Sequence, residues 1–370
     1  MSAKKTSPRQ RQANAMSVLA QLACLDIPGE ALLDELLQAL QELVPFDRTS
    51  YRVYDAEGRL RELHTGGDVL PEVVALYLQE WMGRLEVDAY APHLRESMSR
   101  HQYECVRISD AIPRLRHSAY HDQILRPLRL AGEARLVLRD EGGRGEVRQI
   151  TVARDGQDFS VHEMAALRQA LPYLTHAMVR KVSVPQAVEA THQGGSTLLL
   201  VDRSGRVQAS STGANALLAQ AWGRSLAPAW YGDPAVSWAQ PYLAAIVQRV
   251  DALLTGRPSD LPMVVERNRY GTFHLRGYVL QQAAAGMPPL YGIQIERRVT
   301  LEQRLFASER FRHLTASERD VALRLVRGVT PADIAREMGV KTSTAIFHTR
   351  NIYRRLGIHQ RAQLLPALVA

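Results

Sequence analysis

LTASERDVALRLVRGVTPADIAREMGVKTSTAIFHTRNIYRRLG, residues 314–357, reads as three helices in succession. The first starts at Thr315, whose hydroxyl can accept from the unpaired amides of a helix start while Glu318 reaches back, a capping box. Val321, Leu325 and Val326 follow at helical spacing, and Gly328 after Arg327 supplies a left-handed stop with a cation in the last turn. The second starts at Thr330, with Pro331 in the first helical position and Asp333 in the third. Ile334, Ala335 and Met338 share a face, and Gly339 closes it. After a turn through Gly339 and Val340, the third runs from Thr342 to Leu356. Ala345, His348, Ile352 and Leu356 can face inward there, which leaves Ile346, Phe347, Arg350 and Arg354 outward or oblique.

A short helix, a glycine turn and a longer helix with outward arginines is the arrangement that presents a recognition helix to a DNA major groove. Charge points the same way. Residues 310–370 hold ten Arg and one Lys against Glu318, Asp320, Asp333 and Glu337, a formal +7 out of the +8 of the 370-residue chain. Cations concentrated in this way are what phosphate neutralisation requires. The competing reading is a signalling or adaptor protein whose C-terminal bundle docks a protein.

The ordered set Leu314-Thr315, Glu318, Val321 to Gly328, Asp333-Ile334-Ala335, Val340, Thr344, His348, Asn351-Ile352, Arg355-Leu356-Gly357 and Arg361 resembles the LuxR-type (NarL/FixJ-like) helix-turn-helix. The resemblance covers this domain alone. It implies an all-α, four-helix unit that binds double-stranded DNA as a homodimer, with the third helix in the major groove and a fourth, about Arg361 to Val369, in the dimer contact. The expected DNA-binding residues are Lys341, Thr342, Ser343, Thr344, Ile346, Phe347, His348, Arg350 and Arg354. Arg350 and Arg354 would contact bases or phosphates, His348 the interior or backbone, and residues 341–344 phosphates near the helix start. Two positions depart from the family: Lys341 stands where Ser is usual, moving the expected cap to Thr342 or Ser343, and Ile346 stands where Lys is usual. Ile346 cannot donate to guanine but could contact a thymine methyl.

Outward from this stretch, the length predicts two or three domains and the 46% hydrophobic content is ample for their cores. No apolar run reaches membrane-spanning length, and the basic start lacks the apolar segment of a signal peptide, so a cytoplasmic location is expected. Cys24 and Cys105 are too few for a disulfide framework and read as reduced thiols. Residues 1–14, with Lys4, Lys5, Arg9 and Arg11, read as a disordered basic tail. Residues 15–182 give an amphipathic helical region, hairpins at 48–64 and 135–152, and a closing helix begun by Ser160 and Glu163, an α+β layout that resembles a GAF sensor domain. Residues 183–195 read as a linker. Residues 196–298 run hairpin, helices and a three-stranded return, resembling a PAS domain, and 299–312 read as a connecting helix before the domain at 313–370.

Nothing assembles an enzyme. His117 and His121 share a helix face but lack a third ligand, and the loop 141–145 is glycine-rich without the Lys-Ser/Thr of a phosphate loop. The expected fold is therefore multidomain: GAF-like and PAS-like α+β units ahead of an all-α helix-turn-helix. The expected function is a DNA-binding transcriptional regulator whose sensor-like domains control dimerisation or orientation of the helix-turn-helix. Tyr51, Tyr54, Trp81, Tyr90 and Tyr103 either wall a small-molecule site or simply fill the core or cover the surface. RNA polymerase is a further possible partner, and no cofactor or metal is expected.

Overall fold

The computed structural model describes residues 8–55, 60–66, 71–77, 80–81, 104–111, 115–139, 146–179, 192–211, 213–222, 237–280 and 288–369. The first helix, α1, spans Pro8–Ala23, so residues 8–14 of the expected tail are helical. The reason is tertiary: Ala15, Val18, Leu19 and Leu22 are fully buried, and the Asn14 side chain donates to the Arg312 carbonyl at 2.6 Å. A short 3-10 turn, Gly29–Leu32, leads into α2, Leu33–Leu43. Gly29 lies against the long helix of this unit, where a Cβ would stand 2.3 Å from the Ala177 carbonyl oxygen.

The first sheet is antiparallel in the order β2-β1-β5-β4-β3, with β1 Arg48–Tyr54, β2 Leu60–Gly66, β3 Glu104–Arg107, β4 Gly132–Arg139 and β5 Val147–Arg154. Its side chains alternate between two faces. Tyr51, Val53, Ala134, Leu136, Leu138, Ile150 and Val152 share one core with α1, α2 and a helix spanning Val161–Val179. The opposite face is polar yet buried: Ser50, Arg52, Glu133, Arg135, Gln149 and Thr151. Leu63 on that face joins a second cluster with Val73, Tyr77, Trp81, Tyr120, Ile124 and Leu128. Val73 lies on the short helix α3, Pro71–Leu76, with Tyr77 just after it, and Tyr120, Ile124 and Leu128 lie in the turns between Leu115 and Leu130; Ile108, at the start of the short helix α4, Ile108–Ala111, joins the same cluster. The Val161–Val179 helix, α5, begins as expected, with Ser160 and Glu163 exchanging hydrogen bonds. Hydrogen bonds from Arg154 to both Glu163 oxygens, at 2.7 and 2.8 Å, hold that carboxyl down at about 2.

The second sheet runs β7-β6-β10-β9-β8 and is also antiparallel: β6 His192–Val201, β7 Val207–Ser210, β8 Met263–Asn268, β9 Gly271–Leu280 and β10 Leu290–Val299. The sheet begins inside the expected linker, at His192. Helices α6, Ala214–Trp222, and α7, Gln240–Leu254, cover its apolar face over Leu199, Val201, Phe273, Leu275, Ile293 and Ile295. The Asp202 carboxylate closes the β6–β7 turn by accepting from the Ser204 and Arg206 amides.

The expected connecting helix is broken at Ser308 into α8, Leu301–Ala307, and α9, Glu309–Arg312, because Ser308 takes extended backbone angles. Four helices follow: α10 Ala316–Val326, α11 Pro331–Glu337, α12 Thr342–Leu356 and α13 Leu364–Val369. They share a continuous hydrophobic core with α1, α2 and the first sheet through Leu305, Phe306, Phe311 and Leu314. Polar contacts join the same parts. Arg319 on α10 is fully buried and donates to Asn14 (3.0 Å), Ser17 (2.8 Å) and Gln21 (2.5 Å) of α1 and to the carbonyls of Arg312 and Leu314. Arg312 reaches Glu42 at 2.7 Å and Gln38 at 3.1 Å on α2. Arg297 of β10 binds Asp34 at 3.0 Å and the Ala31 carbonyl, which also accepts from Gln303. The α1–α2 pair thus carries both sheets and the C-terminal helices.

Candidate nucleic-acid interface

The C-terminal helices are bounded where local chemistry places them. Thr315 and Glu318 form the reciprocal capping box, Thr330 accepts from the Asp333 amide, and Gly328, Gly339 and Gly357 take φ of 99°, 65° and 66°. We expect Thr315→Ala to lower the stability of this unit by about 1 kcal/mol in urea denaturation, the usual worth of such a cap; an unchanged midpoint would mean the box adds nothing net. The Val340 amide donates back to the Ala335 carbonyl at 2.9 Å, which sets the tight turn before α12.

Helix α12 starts at Thr342, after Lys341, and no side chain caps it. Neither Thr342 nor Ser343 takes over that role, because both lie inside the helix, and Lys341 has only donors to offer. Ala345 and Ile352, seven residues apart, are its buried positions. His348, Thr349 and Leu356 are half-buried, so His348 and Leu356 sit at the margin of the inward face. Thr344 is also half-buried, while Lys341, Thr342, Ser343, Ile346, Phe347, Arg350 and Arg354 are exposed. Ser343, Phe347, Arg350 and Arg354 fall at i, i+4, i+7 and i+11, one solvent-facing stripe. Arg354 donates to Asn351 at 2.7 Å. The far end of α12 is braced by Arg355, 3.5 Å from Glu318 of the capping box.

Residues 312–367 match the family model for GerE, the bacterial regulatory proteins of the luxR family. This segment is a luxR-family domain. No curated protein sequence matches the chain. Among solved structures, the chain is similar to the Vibrio cholerae VqmA dimer in the absence of target DNA: 16% identity over 47% of this chain and 81% of that one, TM-score 0.19. A phage VqmA–DPO complex gives 15%, 46%, 81% and 0.17, and the E. coli DhaR(N)–DhaL complex 12%, 80%, 90% and 0.25. At these TM-scores the likenesses carry nothing further.

The luxR-family domain spends its cations unevenly. Arg312 and Arg319, counted in the +7, face the α1–α2 pair and not solvent. Arg324 pairs with Glu337 at 2.9 Å, Arg327 with Glu302, and Arg336 with Asp333 at 2.5 Å. Arg361 donates to the Leu325 carbonyl at 2.8 Å. The two buried arginines were not anticipated as structural. Arg319 lies three residues before buried Ala322, so helical periodicity could have placed it inward.

A cavity lies against the polar face of the first sheet, lined by Arg48, Ser50, Arg52, Thr151, Glu133 and Tyr120 with apolar Leu63, Val73, Ile124 and Leu128. Glu133 accepts from Arg135 at 2.7 Å and from Tyr120 at 3.0 Å, and Arg52 donates to Tyr77 at 2.7 Å. The Thr151 hydroxyl is buried without a hydrogen-bond partner. None of Tyr51, Tyr54 and Trp81 lines this cavity. Tyr51 points to the helix-covered face, Tyr54 lies 3.4 Å from Gln149, and Trp81 is buried with its indole donating to Gln123 at 3.0 Å. Tyr77 and Tyr120 are the rings that do line it, and only their packing on the polar face of the sheet brings them together. Tyr90, Tyr103 and the loop 141–145 lie outside the described residues. Among the described residues no group of His, Cys, Asp and Glu could hold a metal, and no helix is long and apolar enough to cross a membrane. Cys105 is buried, which pushes its thiol up to about 12, and Cys24 is exposed.

Proposed function

We propose that this chain is a DNA-binding transcription regulator in which the N-terminal units set the orientation of paired luxR-family domains. The observation that carries the reading is the exposed α12 stripe, with Arg350 and Arg354 outward, inside a segment that matches the luxR family. The bound form is a homodimer whose two recognition helices meet half-sites about one helical turn apart. The α+β units are GAF-like (first sheet) and PAS-like (second sheet). A small molecule seated against Ser50, Arg52, Glu133 and Thr151 is the signal. Its effect travels a short way, since β1 and β5 have the cavity on one face and share the α1–α2 core on the other, and α1 and α2 hold Arg319 and Arg312. A ligand that favours one packing of sheet on helices thereby favours one placement of the luxR-family domain.

The test is binding of the full-length protein to duplexes selected from a random pool, at two salt concentrations. Affinity should fall steeply with salt, as counterion release demands. Arg350→Ala should cost about 1–3 kcal/mol, mainly on the selected site; equal loss on all sequences would make Arg350 a phosphate contact. Failure to retain any duplex, with capture of a protein partner that salt barely weakens, would favour the adaptor reading.

A further inference from the structure

We propose that the outward apolar residues of α12, Ile346 and Phe347, read thymine methyl groups, so that the half-site this chain selects carries A·T pairs beneath them. The inference rests on the regulator reading and names what that surface recognises. The chain has six phenylalanines; five are buried and Phe347 stands 60% exposed, with Ile346 beside it at 37%. Two adjacent apolar side chains exposed on the outward face of α12 form a contact patch whose meaning depends on what surrounds it. Lys341, Thr342 and Ser343 precede it, and Arg350 and Arg354 continue the same stripe, so the patch is set in a cationic and hydroxyl-bearing frame that fits a polyanion.

Within that partner the chemistry leaves little choice. Neither side chain can donate to guanine N7 and O6, accept from adenine N6, or bond to a phosphate oxygen. The thymine C5-methyl is the apolar group exposed in the major groove. Apolar wedges that unstack bases act from the minor groove, which a helix-turn-helix recognition helix does not enter. The Phe347 ring meets the half-buried His348 ring edge to face, with centroids 5.8 Å apart and planes at 67°, so its position on the surface is supported from below.

Deoxyuridine isolates the methyl group, because uracil keeps the pairing and the O4 acceptor of thymine and lacks only that carbon. The full-length chain is used to select duplexes from a random pool, and the best one is resynthesised with deoxyuridine at each thymine in turn. The unaltered protein should lose about fourfold in affinity at one or two positions, the transfer value of one buried carbon. Phe347→Ala and Ile346→Ala should bind the thymine duplex more weakly and show no thymine–uracil difference at those positions, whereas Arg350→Ala should keep it. Equal affinity of the unaltered chain for both duplexes overturns the proposal while salt-sensitive retention leaves the regulator reading standing. A full difference persisting in the Ile346→Ala/Phe347→Ala double variant overturns it as well. Retention of no duplex at low salt removes both readings together.

Discussion

Arg319→Ala should release the luxR-family domain from α1 at a cost of at least about 1–3 kcal/mol, the penalty for a buried hydrogen-bonding group left unsatisfied. The guanidinium is fully buried and serves acceptors on both sides of the contact: Asn14, Ser17 and Gln21 on α1, and the Arg312 and Leu314 carbonyls at the start of the luxR-family domain. Truncation removes the guanidinium donor from the Asn14, Ser17, Gln21 and Leu314 oxygens in a closed space, while the Arg312 carbonyl keeps the Asn14 amide; each group left unsatisfied costs about 1–3 kcal/mol. Burial holds the guanidinium down at about 10, still above neutral pH, so the group enters the contact charged. Arg319→Lys should recover only part of the loss, because an ammonium offers three donors from one point and cannot fan out over both partners. Urea denaturation reads the effect: the variant should unfold in two steps, with early proteolytic cleavage between residues 300 and 316. A single transition at the parent's midpoint would show that the cluster does not couple the units.

Glu35 and His64 should give the stability of the parent chain opposite pH slopes between about pH 4.5 and 6.5. Burial pushes the Glu35 carboxyl from 4.5 up to about 7, against the pull of Arg297 and Arg312 and with the help of Asp34. A raised folded value means its stabilising protonation is complete below 4.5 and is lost as pH rises to about 7. Burial takes His64 the other way, from 6.5 down to about 4. Its depressed value means that neutral His64 supports the fold above 6.5 and that this support is lost as pH falls to about 4. Over the shared window these two proton differences oppose each other, and His274, also lowered by burial, acts with His64. Relative to the parent, Glu35→Gln should therefore add an upward slope with pH of roughly 1.4 kcal/mol per unit across the window, and His64→Asn a downward one of similar size. Above pH 7, Glu35→Gln should be more stable than the parent, because the ionised carboxylate is the form that burial disfavours. Denaturation at pH 5, 6 and 8 gives the slopes; parallel profiles for parent and both variants would refute the pairing.

Much of the C-terminal domain is legible in its residues because its boundaries are set by neighbours in sequence. Thr315 finds Glu318 three residues on, Pro331 follows Thr330, and Gly328 and Gly339 adopt angles that side chains disfavour, so no distant contact has to be known. Strands β1 and β5 are legible by their alternation, one face apolar against helices. Strand β3 is not, since Glu104–Arg107 is four residues long and its pairing with β4 is what makes it a strand. Residues 8–14 have the composition of a tail, and become helix because Asn14 and its followers meet Arg312 and Arg319 from the other end of the chain.

What the sequence by itself determined is the identity of the terminal domain, the stripe of residues on its outward helix face, and the hairpins at 48–64 and 135–152 with the helix after Ser160. All of these follow from interactions within a turn or two of backbone. Tertiary structure alone decided which charges are spent inside. Arg312 and Arg319 count toward the +7 as fully as Arg350 does, yet they hold α2 and α1, because burial of an arginine depends on acceptors some 270 to 300 residues away. It also decided which side chains line the cavity on the first sheet. Ser50, Arg52, Glu133 and Thr151 come from strands far apart in the chain, and only their pairing in one sheet turns them to the same cavity.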